Sequence, residues 1–241
     1  MPGPIVTLTS DFGSGSPYVA AMKAVLLGSC PGAVLVDVSH TVPPFDVLSG
    51  AFVVWAGTRH FAPGAVHLAV VDPGVGTERR PVALHVGGSW YVGPDNGLFG
   101  LILDEGQPDQ TVELQRPPTV SATFEGRDVF APAAAALAAG GSPAQLGRPL
   151  ATPPLELPVS GPAVLWVDGF GNLVTNLRPP PTALRVNGHD VRRTARTFGD
   201  VPAGTPFTYA GSMGYVVIAV REGRADTRLG ARAGTPIEPL A

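Results

Sequence analysis

The feature that most constrains this chain is a proline-rich stretch, Gly147–Gly161, carrying Pro149, Pro153, Pro154 and Pro158. Proline lacks a backbone N–H and has a fixed φ, so such a stretch neither continues a helix nor enters a central strand. The pattern differs on its two sides. Before it, apolar runs of strand length alternate with segments whose apolar residues recur at spacings of three and four. After it, only short apolar runs remain, separated by Gly, Pro, Asn and Asp. The chain therefore reads as an N-terminal α/β domain over 1–148, a linker over 149–161 and a C-terminal β domain over 162–241.

In the first part, Ile5–Thr9, Val34–Val38 and Val66–Val71 read as strands. Tyr18–Leu27 has helical spacing, and Asp46 is a candidate N-cap for a helix running to about Arg59. Val82–Val86 and Trp90–Val92 form a hairpin pattern around Gly87-Gly88, with a short helix over Leu98–Leu103. An alanine-rich helix over Val129–Ala139 tolerates Pro132 because it falls early. Strands alternating with helices predict a mostly parallel sheet covered by helices. In the second part, Val164–Val167, Leu173–Thr175, Leu184–Val186, Pro206–Tyr209 and Tyr215–Val220 predict a small antiparallel barrel or sandwich.

With 44% apolar and 15% charged residues, the chain can bury a sizeable core. The formal net charge of -3 supplies no cationic surplus for a phosphate backbone, which argues against nucleic acid as partner. The lone cysteine, Cys30, has no disulfide partner within the chain and reads as a packing residue at a helix end. The longest apolar runs fall far short of the roughly 18–20 residues that span a bilayer. With no secretory signal visible, a soluble cytoplasmic protein with no membrane partner is the expectation.

Polar residues gather in five places. Asp11-Phe12-Gly13-Ser14-Gly15-Ser16 lies at a strand-to-helix junction; Asp11 there suits either a ribose diol or a helix cap. Val70–Arg80, VVDPGVGTERR, puts Asp72 just past a buried strand on a glycine turn, with Arg79 and Arg80 behind it. Open α/β sheets bind ligands at that edge, and the alternative is a loop salt bridge. Thr123–Asp128, TFEGRD, precedes a helix; Glu125 is a candidate base, and Arg127 with Asp128 reads as a structural pair. Asp168-Gly169-Phe170-Gly171-Asn172, followed by Thr175-Asn176, offers amide and ring for a purine, or is a turn built on its Asx side chains. Gly211-Ser212-Met213-Gly214-Tyr215 is a turn leading into a strand. The histidines lack metal-ligand spacing, so no metal site is expected.

Taken in order, TSDFG, VDVSHTVPPFDV, VVDPGVGTERR, GPDNGL, TFEGRDVFAPAAA, DGFGNLVTN and GSMGY span nearly the whole chain. This set resembles the S-adenosylmethionine hydroxide adenosyltransferases, relatives of the enzymes that attack the same substrate with fluoride or chloride. The resemblance implies a three-layer α/β/α N-terminal domain with a mostly parallel sheet and a C-terminal antiparallel β-barrel. It implies a homotrimer whose active sites lie between subunits. It also implies hydrolysis of S-adenosylmethionine by water or hydroxide to adenosine and L-methionine, with no cofactor.

By the same resemblance, Asp11 holds the ribose hydroxyls and Phe45 packs on the ligand. Asp168 faces the methionine amine, and Phe170, Asn172 and Phe198 form the adenine pocket. Ser212 binds the methionine carboxylate. Asp72 and Arg79 match two members of an Asp-Arg-His water-handling set. The third position is Glu125, where the family usually has TFHGRD. Ser16 stands where an aspartate usually helps hold the amine, and Met213 where the halide enzymes have arginine. Three readings of Glu125 stand: a carboxylate base, a partner tied to Arg79 or Arg127 that leaves Asp72 as base, or an inactivating change. Rival functions are a halide-using, chlorinase-like adenosyltransferase and a non-catalytic adenosine or S-adenosylmethionine binding protein.

Overall fold

The computed structural model describes residues 3–180 and 182–240. It divides into two compact units, Met1–Pro158 and Val159–Ala241. In the first, the chain runs β1 (Ile5–Ser10), α1 (Pro17–Ser29), β2 (Val34–Ser39), α2 (Val47–Thr58), β3 (Val66–Val70), β4 (Pro81–Val86) and β5 (Ser89–Pro94). It continues through α3 (Gly100–Leu103), β6 (Gln110–Leu114), α4 (Ala131–Ala138) and β7 (Gly147–Pro149). One sheet takes all these strands, in the order β2-β1-β3-β5-β4-β6-β7. The four strands β2, β1, β3 and β5 are parallel, and β4, β6 and β7 join antiparallel to their neighbours.

Alternation along the strands decides which helix covers which face. Val6 and Leu8 of β1 enter one core with Met22 and Leu26 of α1 and with Phe130, Ala131 and Ala134 at α4. Thr7 and His67 point to the opposite face, where Thr7 Oγ1 and His67 Nδ1 are hydrogen-bonded at 2.9 Å. Trp55 and Phe52 of α2 are buried, and Gly57 of α2 lies so close to Val38 of β2 that a Cβ would come within 2.3 Å of it. The caps are local. Asp46 Oδ1 accepts from Ser49 N at 2.9 Å at the start of α2, and Ser16 Oγ accepts from Tyr18 N at 3.3 Å at the start of α1. Ser16, not Asp11, is thus the cap of α1, which removes the cap reading of Asp11.

The proline-rich stretch runs along the first unit as far as Pro158. Leu155 N donates to Asp95 Oδ1 at 2.7 Å, and Arg80 Nη2 donates to Pro153 O at 3.0 Å.

The second unit contains β8 (Val164–Val167), β9 (Leu173–Thr175), β10 (Leu184–Val186), β11 (His189–Val191), β12 (Pro206–Ala210), β13 (Val216–Val220), α5 (Ala225–Leu229) and β14 (Ile237–Pro239). It forms two antiparallel sheets, β12-β13-β9-β8 and β11-β10-β14. Val164, Leu173, Leu184, Ile218 and Leu229 share its core. The helix α5 has no counterpart in the sequence reading, because five residues are too few for a 3.6-residue period to register. Among the described residues, no helix is long and apolar enough to cross a membrane.

Candidate functional site

Because β1 and β3 are parallel neighbours, their C-terminal ends share one edge of the sheet. Asp11 lies one residue beyond β1 and Asp72 two beyond β3. A cavity of about 220 Å³ opens there, lined by Asp11, Phe45, Asp72, Phe124, Glu125 and Gly126 among others. Three of the five polar stretches and the Pro44-Phe45 corner thus meet in one place, at the edge where open α/β sheets take ligands.

Two glycines let the loops close. At Gly76, with φ of +78°, a Cβ would lie 2.6 Å from Ala122 O, so only glycine lets the Asp72–Arg80 loop lie against the turn before Glu125. At Gly126 a Cβ would press on Met22 Sδ at 3.1 Å and the Phe124 ring at 3.3 Å. Glu125 itself opens a π-helical turn, Gly126–Phe130, that runs into α4. Such turns recur at functional sites because they re-aim the residues beside them.

The charged cluster is closely bonded. Arg79 Nε donates to Asp72 Oδ1 at 2.9 Å and Nη2 to Asp72 Oδ2. The same Nη2 lies 2.5 Å from Glu125 Oε2. Arg116 Nε donates to Glu125 Oε1 at 2.7 Å, and its Nη2 donates to Arg79 O at 2.6 Å. Asp72, Arg79 and Glu125 have side chains 5%, 9% and 3% exposed, so these are buried charges that must be paired. Two buried atoms of the cluster remain without a hydrogen bond, Arg79 Nη1 and Glu125 Oε2. The short contact of Oε2 with Arg79 Nη2 brings the charges together without hydrogen-bond alignment.

Neighbours in sequence separate here. Arg80 turns away from Arg79: its Nε donates to the buried Asp95 at 2.8 Å. Arg127 pairs with Asp128 at 2.6 Å, the structural pair expected from the sequence, and so is not the partner of Glu125. Asp11 Oδ2 accepts from Phe45 N at 2.8 Å. Phe45 has φ of +66°, a left-handed conformation unfavourable for a side chain of this size, and its ring is 71% exposed. Strain of that kind collects at ligand sites. The Asp11 loop is further anchored by His40, whose Nδ1 meets Ser10 Oγ at 2.7 Å and whose carbonyl accepts from Gly13 N at 2.7 Å.

In the second unit, Asp168 Oδ1 accepts from the backbone N of Phe170 and Asn172, at 2.8 and 2.9 Å, and Oδ2 accepts from Asn172 Nδ2 at 2.7 Å. This is an Asx turn, and it holds Phe170 79% exposed. Phe198 packs edge-on against Phe207 and Tyr209. Burial first, and then the Asp168 carboxylate, raise the Tyr209 hydroxyl above its usual range. Ser212 is exposed on the β12–β13 turn. That turn and the Asp168 turn lie at opposite ends of the β9–β13 ladder, because the two strands are antiparallel. Asn176 is structural: its side chain bonds Ala163 N and Gly161 O.

Sequence reasoning missed Arg116 and the aromatic trio of Phe12, Tyr18 and Phe124, whose ring centroids lie 5.1–6.1 Å apart. No local signal marks Arg116 except its place before Pro117-Pro118, where the backbone is held extended. Tyr18 enters the sequence reading only as the start of a helical segment.

Comparison with known proteins identifies the family. Residues 6–147 match the SAM hydroxide adenosyltransferase N-terminal domain, and residues 162–238 match the C-terminal domain. The chain is 45% identical to an (R)-S-adenosyl-L-methionine hydrolase of Thermus thermophilus, over 98% of this chain and 99% of the relative. A fluorinase of Actinoplanes sp. is 29% identical over 90% of each. A crystal structure of a conserved protein from Thermotoga maritima superposes with a TM-score of 0.88 at 32% identity, over 98% of this chain and all of that one. The chain belongs to the SAM hydroxide adenosyltransferase family.

Proposed function

We propose that this chain hydrolyses S-adenosyl-L-methionine to adenosine and L-methionine, without a cofactor. The observation that carries the reading is the Asp72–Arg79–Glu125 cluster on a cavity that also takes Asp11 and the strained Phe45. Water attacks the ribose C5′, the C5′–S bond breaks, and methionine leaves as a neutral thioether with the bonding pair. The sulfonium makes the leaving group good without protonation, so the protein's tasks are to place the water in line and take its proton.

Glu125 fits the base role. Its Oε2 is ion-paired to Arg79 Nη2 at 2.5 Å but receives no aligned hydrogen bond, whereas both oxygens of Asp72 accept hydrogen bonds from Arg79. Arg79 pairs with the cavity-lining Asp72 and Glu125 and completes the water-handling set by fixing both carboxylates. Excluding bulk water strengthens each of these interactions.

The rest of the assignment belongs to the same reading. Asp11 takes the ribose hydroxyls, with Phe45 against the ligand. Phe170, Asn172 and Phe198 take the adenine, Asp168 the amine and Ser212 the carboxylate. The protein is a cytoplasmic homotrimer with each site between subunits, and the two sheets of residues 162–241 close as a barrel, joined to residues 1–148 by the stretch 149–161.

The test is incubation with S-adenosylmethionine, with and without chloride, with products separated by chromatography. Adenosine and methionine in equal amounts are expected in both. A chlorinated adenosine would establish the halide reaction instead, and tight binding with no product over hours would leave only a binding protein.

A further inference from the structure

We propose that Arg116 is a positioning residue of this site, one that lets a glutamate serve at position 125. This rests on the hydrolase reading above. Arg116 lies just beyond β6, on a segment fixed from both sides: Gln115 N donates to Leu146 O at 2.8 Å, and Pro117-Pro118 follow. From there its guanidinium makes two bonds to different loops, Nε to Glu125 Oε1 at 2.7 Å and Nη2 to the carbonyl of Arg79 at 2.6 Å. It therefore ties the loop that carries Arg79 to the turn that carries Glu125.

The charge count gives the physical reason. Without Arg116, two buried carboxylates, Asp72 and Glu125, would share one guanidinium, and the surplus negative charge would be buried. With it, two anions face two cations. The directions matter as much as the charges. Arg116 occupies Oε1, which fixes the carboxylate plane and leaves Oε2 towards Arg79 Nη2, without an aligned hydrogen bond. Arg127, the nearest arginine in sequence, is engaged with Asp128 and supplies none of this. Arg116 does not line the cavity with Glu125, so it acts through Glu125 and not on the substrate.

The experiment compares wild type, Arg116→Ala, Arg116→Lys, Glu125→Gln and the double variant Arg116→Ala with Glu125→Gln. Each is assayed for adenosine formation and urea denaturation. A displaced reacting group costs roughly 100-fold or less, so kcat of Arg116→Ala should fall about 10- to 100-fold with KM little changed. Lysine should restore part of the loss, because it supplies the charge but not the forked pair of bonds. In the Glu125→Gln background, removal of Arg116 should have little further effect on kcat. Unchanged turnover in Arg116→Ala, or losses that multiply independently in the double variant, would overturn the proposal.

If wild type forms no adenosine, the hydrolase reading fails by itself. The urea midpoints then decide whether Arg116 and Glu125 are coupled: a non-additive cycle supports the pairing and an additive one overturns it.

Discussion

Replacing Asp72 by Asn tests whether the buried cluster is held together as the geometry implies. The side chain keeps its shape but loses its charge, and one oxygen that accepts from Arg79 becomes an NH2 facing another donor. Both side chains are under 10% exposed. Breaking a buried pair costs about 3–5 kcal/mol because the partner's charge is stranded. Here Arg79 retains Glu125 as a second anion, so the expected loss is about 2–3 kcal/mol. For a domain of this size that lowers Tm by roughly 5–10 °C. The comparison is Asp128→Asn, which also loses an arginine partner, but one whose side chain is 42% exposed, where an ion pair is worth about 0–1 kcal/mol. Thermal denaturation followed by circular dichroism gives both shifts, and adenosine formation should fall only in Asp72→Asn. Equal Tm shifts in the two variants, or an unchanged Tm in Asp72→Asn, would refute the reasoning.

Phe45→Gly should raise stability by about 0.5–1 kcal/mol, since glycine relieves the left-handed strain and the ring is largely exposed, while KM for S-adenosylmethionine rises; a Tm below wild type would contradict this. Burial lowers the His67 imidazole from 6.5 to about 4. The unfolded chain then binds that proton more readily, so the stability is present above pH 6.5 and lost as pH falls towards 4, by roughly 3 kcal/mol in all. In His67→Gln, the Tm difference between pH 7 and pH 4.5 should shrink; an unchanged difference would show that other groups govern acid unfolding. Asp95 is buried and holds Arg80 and Leu155 N, so Asp95→Ala should cost about 2–4 kcal/mol and expose residues 150–158 to limited proteolysis. Wild-type resistance in that segment would count against it.

Much of the architecture is local in origin. Strand-length apolar runs, the Asp46 cap and the Gly87-Gly88 hairpin are all carried by neighbouring residues, and the structure reproduces β1–β5 and α1–α2 within two residues of their expected ends. What failed to register was short or non-local. β7, β11 and β14 (GRP, HDV and IEP) are no shorter than β9 and β10 but carry no apolar run, and they are strands only because a partner strand lies beside them. The π turn at Gly126 likewise has no sequence period of its own.

The site divides in the same way. Order and spacing along the chain are enough to put Asp72 at a strand end on a glycine turn, whereas the correspondence of Glu125 to a histidine comes from the resemblance to the family and not from spacing. Which charges meet depends on contacts between residues far apart along the chain. Arg79 and Arg80 are adjacent in sequence, yet one joins Asp72 and Glu125 and the other joins Asp95. Arg127 is two residues from Glu125 but pairs with Asp128, while Arg116, nine away, pairs with Glu125. Consecutive side chains on an extended segment point to opposite sides, and a buried charge takes whichever partner the fold brings within hydrogen-bond reach.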